Sequence, residues 1–74
     1  MKKSLIINVY KTHKFIAWFS NNSVLSIQGF DDKKELNIWL ELMFEIHRGL
    51  YAYGIFNNCS IDIVNRILKA EEIL

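Results

Sequence analysis

The sequence predicts an α+β fold, with a three-stranded antiparallel meander, two helices after it, and a short fourth strand between the helices. Two observations support this class. Residues 4–28 are rich in β-branched and aromatic side chains, which are typical of strands, whereas apolar side chains from residue 36 onwards recur at helical spacing. Because the chain contains no proline, no internal repeat and no low-complexity linker, we expect residues 1–74 to form a single compact domain.

The first thirty residues divide into three strand-like segments. "SLIINVY" (4–10) and "KFIAWFS" (14–20) are separated by the short polar connector 11–13, a pattern typical of a β-hairpin. The segment "NNS" (21–23) is a second turn, because asparagine tolerates a left-handed backbone. A third strand, "VLSIQ", then ends at Gly29, so we expect the three strands to pair in chain order.

A long helix is predicted after the strands. Asp32 can accept a hydrogen bond as its N-cap, Glu35 completes a capping box three residues later, and Gly49 is a natural stop. One face of this helix comprises Leu36, Trp39, Leu40, Met43, His47 and Leu50, and a further apolar flank comprises Ile38, Leu42 and Ile46. A helix with so wide an apolar surface is expected to be covered on two sides.

The segment "GLYAYGIFNNCS" (49–60) carries no charge, although it joins two predicted helices. Within it Tyr51, Tyr53 and Ile55 alternate with Leu50, Ala52 and Gly54, which is the spacing of a strand with one bulky face and one small face. We therefore favour a short strand over continuation of the first helix past Gly49. Ser60 can cap a last helix, and the residues that share one side of it are Ile61, Val64, Ile67, Leu68 and Glu71.

Charge is distributed unevenly along a chain whose net charge is only +1. Residues 1–30 carry four lysines and no acidic residue, whereas residues 31–74 carry five basic and eight acidic residues. The four lysines are Lys2, Lys3, Lys11 and Lys14, and the aromatic residues near them, which could stack on bases, are Tyr10, Phe15, Trp18 and Phe19. Nucleic-acid binding is therefore the alternative function, although a pI near 7.9 argues against it. Lysines that guard strand edges against aggregation explain the same pattern.

Few residues could support catalysis or bind a metal. Cys59 precedes an expected helix start, where the helix dipole could lower the thiol pKa, but no histidine is close to it in sequence. His13 lies in a turn and His47 on the core side of the first helix, so no paired spacing predicts a metal site. The three glycines lie at element ends rather than in a phosphate-binding loop. We therefore expect no enzyme activity, no cofactor and no metal.

Hydrophobic residues make up 51% of the chain. This is more than one small core can bury, because a domain of this size hides only about 60% of its unfolded surface. The surplus predicts a non-enzymatic protein-binding module, whose partner is a host protein or protein complex, with a homodimer as a further option. The expected partner-binding residues are Tyr51, Tyr53, Tyr10, Lys11, Lys14 and Trp18.

The single cysteine favours a reducing compartment. Because Asn8 and Lys11 interrupt the first apolar run, we expect neither a signal peptide nor a membrane span, and hence a cytoplasmic protein. Isoleucine, lysine and asparagine together make up 25 of the 74 residues, a bias that indicates a low-GC bacterial or phage genome. An accessory factor fits these features, such as an inhibitor that occludes a functional surface of a host defence enzyme or CRISPR effector.

Overall fold

The computed structural model describes residues 3–47 and 49–72, so Lys2 lies outside the described residues. The elements in chain order are β1 (Ser4–Asn8), β2 (Phe15–Ser20), β3 (Val24–Phe30), α1 (Lys33–Ile46), β4 (Ala52–Phe56) and α2 (Ile61–Ala70). The predicted α+β class is confirmed, and so is the short strand between the two helices. Among the described residues, neither helix has the length and apolarity needed to cross a membrane.

The four strands form one mixed sheet in the order β1-β3-β2-β4. β2 is antiparallel to both β3 and β4, but β1 runs parallel to β3 and does not pair with β2. The predicted antiparallel meander is therefore wrong at its first step. β2 and β3 do form the expected hairpin, whose turn is closed by Asn21: its Oδ1 accepts hydrogen bonds from the backbone N–H groups of Ser23 and Val24 at 2.7 and 2.9 Å.

The connector between β1 and β2 crosses the end of β3, which explains why the first two strands are not neighbours. The His13 ring in this connector occupies the space that a side chain at Gly29 of β3 would fill. Two hydrogen bonds hold the connector in place. The Tyr10 N–H donates to His13 Nδ1 at 3.1 Å, and the Lys14 N–H donates to the Phe30 carbonyl at 3.0 Å. β3 thereby takes a central position, which suits a strand whose side chains are mostly apolar or small and, apart from the half-buried Gln28, are buried.

One helix covers each face of the sheet. On one face, Ile16, Leu25 and Ile27 pack with four buried residues of α2, which are Ile63, Val64, Ile67 and Leu68. On the other face, Ala17 and Phe30 pack with Leu36 and Leu40 of α1. Because neighbouring residues of a strand point to opposite faces, Ile16 and Ala17 belong to different cores. This arrangement explains why β2 carries no polar face.

The helix starts agree with the capping residues predicted from the sequence. Asp32 accepts a hydrogen bond from the Lys34 N–H at 2.9 Å, and Ser60 accepts one from the Ile63 N–H at 3.3 Å. Gly49 follows the end of α1 with a φ of 106°, a left-handed value that favours glycine.

Two expectations about the helix faces are wrong. α1 ends at Ile46, so Leu50 is outside the helix and is 93% exposed. The flank formed by Ile38, Leu42 and Ile46 is at least half exposed, so within a single chain α1 is covered on one side only. On α2, Ile61 is 70% exposed and Ile63 is buried instead, so the buried side of this helix begins two residues after its first residue.

Candidate protein-binding surfaces

The surface of the described residues is unusually apolar. Twelve large hydrophobic side chains are exposed, and they are Leu5, Ile6, Ile7, Tyr10, Ile38, Leu42, Ile46, Leu50, Tyr51, Tyr53, Ile55 and Ile61. Single exposed hydrophobic residues are normal, but contiguous groups of them mark interaction sites. Three such groups lie on the β4 edge, on the β1 edge with the adjacent groove, and on the outer flank of α1.

We call the group at the β4 edge the aromatic patch and define it as Phe44, Tyr51, Tyr53 and Ile55. The Phe44 ring stacks on Tyr51, with centroids 5.1 Å apart, and meets Tyr53 edge-on at 4.9 Å. Tyr51 also packs on the fully buried Phe19, with ring centroids 5.2 Å apart. The two tyrosines are therefore held by α1 and the sheet, and not by the C-terminal helix.

Large and small side chains alternate along β4, and the face opposite the aromatic patch explains why. Tyr53 and Ile55 lie opposite Phe19 and Ala17 of β2, on the α1 side of the sheet. Gly54 lies opposite Trp18, and a side chain at Gly54 would overlap the indole ring. The small face of β4 therefore accommodates Trp18, and the bulky face is turned toward the aromatic patch.

The tyrosines of the aromatic patch combine fixed orientation with exposure. Tyr51 is 42% exposed and Tyr53 is 51% exposed, although both rings make aromatic contacts. Each aromatic pair contributes about 0.5–1.5 kcal/mol beyond the area that it buries. Rings that are already ordered lose little entropy on binding, so this surface is suited to contact another protein.

A second surface is a groove between β1 and the start of α2, with a volume of about 570 Å³. Its apolar walls include Ile7, Val9 and Ile61, and Tyr10 and Lys11 lie at the same site. Cys59 also lines the groove, and its thiol donates to the Tyr10 carbonyl at 3.4 Å. Burial, and then the Asp31 carboxylate, raise the pKa of the Cys59 thiol, so it is mainly protonated at neutral pH.

The structure does not bring the six predicted binding residues together. Tyr51 and Tyr53 share the aromatic patch, whereas Tyr10 and Lys11 lie near β1, at the opposite edge of the sheet. Trp18 is half-buried on the α2 face, where it packs against the core.

Lys14, the sixth predicted residue, is exposed and immediately precedes β2. Since β1 and β2 are not paired, the predicted hairpin to which Tyr10, Lys11, Lys14 and Trp18 belong does not form. The six residues therefore belong to separate surfaces.

The proposed base-stacking residues are also largely unavailable. Phe19 is fully buried, Phe15 and Trp18 are half-buried, and only Tyr10 is exposed among the four aromatic residues of this group. Lys33 lies 5.6 Å above the Phe15 ring and covers it further. A platform for single-stranded nucleic acid needs aromatic faces that are open to solvent.

Sequence reasoning omitted Phe44 and Ile55 from the candidate site, as well as the whole β1 edge. Phe44 could have been found from its position beside the buried face of the helix. Ile55 could have been found from the alternation that identified the tyrosines. The β1 edge could not, because the strand order that exposes it depends on the connector crossing β3.

The two histidines lie in packed positions. His47 packs its ring 5.3 Å from that of Phe19, and His13 is half-buried in the connector. In the part of the chain that the structure describes, no group of three histidine, cysteine, aspartate or glutamate residues is placed to hold a metal ion.

The fold and these surfaces define an α+β protein with a mixed four-stranded sheet, one helix on each face, and exposed apolar edges. No family model, no curated protein and no solved structure matches the chain significantly.

Proposed function

We propose that this chain is a non-enzymatic protein-binding module, and that it contacts its partner through the aromatic patch. The observation that carries the proposal is the exposure of about half of Tyr51 and Tyr53 on a surface where both rings pack against Phe44. Tyrosine is enriched at protein interfaces and among the residues whose truncation weakens binding most.

The chemistry of the partner follows from the composition of the patch. Phe44, Tyr51, Tyr53 and Ile55 carry no charge, and the tyrosine hydroxyls can bond at a wet rim. The patch suits an apolar protein surface with polar groups around it. The chain acts by occluding that surface, and the proposed class of partner is a host protein, such as a defence enzyme or a CRISPR effector.

The experiment uses the chain as bait in an extract of its native host and repeats the capture with matched variants. Tyr51→Ala/Tyr53→Ala removes both exposed rings, and Ile55→Lys places a charge in the same patch without removing an aromatic pair. Ile61→Lys is the control for the rival surface, because Ile61 is 70% exposed and lines the groove, on the other face from the aromatic patch. Titration of the purified partner then gives the dissociation constants.

We expect the two patch variants to raise the dissociation constant by about thirtyfold, equivalent to about 2 kcal/mol for a central contact. The Ile61→Lys control is expected to bind as the unmodified chain does. The double alanine variant loses aromatic pairs with Phe44, so circular dichroism checks that it remains folded, and Ile55→Lys tests the patch independently. Unchanged binding by a folded Ile55→Lys and a folded double variant would refute the proposal.

A further inference from the structure

The outer edge of β1 lies apart from the aromatic patch and has no partner strand. β1 pairs with β3 on one side and with no other strand among the described residues. All five residues of β1 are exposed. Leu5, Ile6 and Ile7 are 44%, 52% and 44% exposed. Sheet edges are usually protected by a charge, a proline or a bulge. Residues 4–8 contain no charge and no proline, so this edge is open to another strand.

The backbone groups on this edge can be assigned from the pairing with β3. The Ser4 N–H donates to the Ser23 carbonyl at 2.9 Å, so the backbone polar groups of Ser4 point toward β3. These groups alternate between the two sides of a strand from each residue to the next. The N–H and C=O groups of Leu5 and Ile7 therefore point toward the free edge.

We propose that a second copy of this chain occupies the edge, with the two β1 strands antiparallel about a two-fold axis at Ile6. In this register Leu5 lies opposite Ile7 of the second copy, and the outward backbone groups of these two residues form a hydrogen-bonded pair. By symmetry Ile7 makes the same pair with Leu5 of the second copy. Ile6 lies opposite its own equivalent in a non-hydrogen-bonded pair, where side chains approach most closely.

β1 is complementary to itself in this register. Ser4 lies opposite Asn8 of the second copy, so polar side chains meet at both ends and apolar side chains meet in the middle. An axis moved by one residue in either direction would instead place Ser4 or Asn8 opposite Ile6. Cross-strand pairs of matching character stabilise a sheet, which favours the axis at Ile6.

Charge does not oppose this contact. The nearest described lysine is Lys3, which lies opposite Val9 of the second copy and not opposite another lysine. Its ammonium group bonds to Ser20 Oγ at 2.7 Å and to the Glu71 carboxylate at 3.4 Å within its own chain. The pairing therefore juxtaposes no like charges from the described residues of β1 and its flanks.

The other edge of the sheet, β4, is less suited to pair with itself. Its central residue is Gly54, which contributes no side chain to a cross-strand pair and weakens a strand. A contact between β1 of one copy and β4 of the next would be head-to-tail and would not close into a dimer. The two-fold contact closes, removes both free β1 edges, and leaves the aromatic patch on β4 available, so it is independent of the proposed function.

The first test measures molecular mass by sedimentation equilibrium across a wide concentration range. The unmodified chain is expected to approach twice its mass of 8.8 kDa as concentration rises. Ile6→Lys places two lysines face to face in the closest pair and is expected to raise the dimer dissociation constant by at least about tenfold. Ile38→Lys is the control for association through the α1 flank, a separate apolar group, and Ile38 is as exposed as Ile6, at 50% and 52%.

Ile38→Lys is expected to dimerise as the unmodified chain does. Two results would overturn the proposal: a single-chain mass at every concentration, or equal weakening by Ile6→Lys and Ile38→Lys. Circular dichroism confirms that both variants are folded before their masses are compared.

The second test fixes the register by oxidation. In a Cys59→Ser background, Ile6→Cys places two thiols in the symmetric pair, where Cα atoms about 4.5 Å apart fall within the disulfide range. We expect rapid formation of a disulfide-linked dimer, and slow or no cross-linking by Ile38→Cys in the same background. Equal cross-linking rates for the two variants would contradict the proposed axis.

Discussion

At the scale of single residues, Gly29 makes room for the connector between β1 and β2. This residue lies under the His13 ring, at the point where the connector between β1 and β2 crosses β3. A Cβ atom at position 29 would overlap the imidazole, so the position requires a residue without a side chain. The constraint is steric: the connector that leads from β1 to β2 passes so close to β3 that no Cβ atom fits between them.

We predict that Gly29→Ala lowers the free energy of unfolding by about 1–3 kcal/mol, as overpacking of a filled site does. The imidazole has to move, and the hydrogen bond from the Tyr10 N–H to His13 Nδ1 is then lost or strained. Urea denaturation of the single variants Gly29→Ala and His13→Ala, and of the double variant, measures the effect.

The double variant distinguishes this cause from a general intolerance of alanine in β3. His13→Ala removes the ring, so Gly29→Ala is expected to cost less in that background, with a coupling energy of about 1 kcal/mol. An equal cost in both backgrounds would show that the imidazole does not restrict position 29.

At the scale of elements, local sequence signals define the helices well. Asp32 begins α1 by accepting a hydrogen bond from the Lys34 N–H, and Ser60 begins α2 in the same manner with the Ile63 N–H. Both caps were predicted, because capping involves residues within three positions of one another. β4 was predicted for a similar reason, since alternating side-chain size within five residues indicates a strand.

We predict that Asp32→Ala destabilises the protein by about 1 kcal/mol, the usual effect of removing an N-cap side chain. Asp31→Ala is the matched control, because Asp31 is a neighbouring exposed carboxylate of the same charge that does not cap α1. Its effect is expected to stay within about 0.5 kcal/mol. Thermal and urea unfolding measure both, and equal losses would mean that charge, and not the cap, stabilises this helix.

At the scale of the whole molecule, the two helices leave the centre of the sheet covered and its edges exposed. β2 and β3 are mainly buried, whereas every residue of β1 is exposed. Two helices of 14 and 10 residues cover one face each, so their widths limit how much of a four-stranded sheet they can hide. The apolar surplus predicted from composition is therefore found at the edges and on the α1 flank.

We predict that nucleic acid binds weakly and that salt abolishes the binding. The net charge is +1, and helices or neighbouring side chains cover most of the aromatic residues that could stack on bases. A few lysines can neutralise only a few phosphates, and such contacts weaken steeply as salt concentration rises. A filter-binding titration at several salt concentrations, with Lys11→Glu/Lys14→Glu as the test variant, measures this.

Tight binding that persists at physiological salt and disappears in the lysine variant would reverse the order of the two functions. Nucleic-acid binding would then be the main activity, and protein binding by the aromatic patch would become secondary.

Residues can be assigned to a shared side from the sequence only where they lie close together in the chain. Tyr53 in β4 and Tyr51 just before it lie on the same side of the sheet, as their alternate spacing predicts, because this spacing is a local property. Tyr10, Lys14 and Trp18 belong to the predicted hairpin of the first two segments but are separated in the structure, because that hairpin requires β1 and β2 to be neighbours. Adjacency between strands depends on the path of the connector.

The amino-acid sequence by itself determined the α+β class, which segments form helices and which form strands, the helix caps, and the apolar character of the strands on both faces. Each of these follows from side chains within a few positions of one another, and their energies do not depend on distant residues. Only the tertiary structure decided the strand order, the parallel pairing of β1 with β3, and the side chains that remain exposed. These features arise from contacts such as His13 over Gly29 and Trp18 over Gly54, which join residues far apart in the chain. Whether such close approaches can form depends on how the whole chain packs.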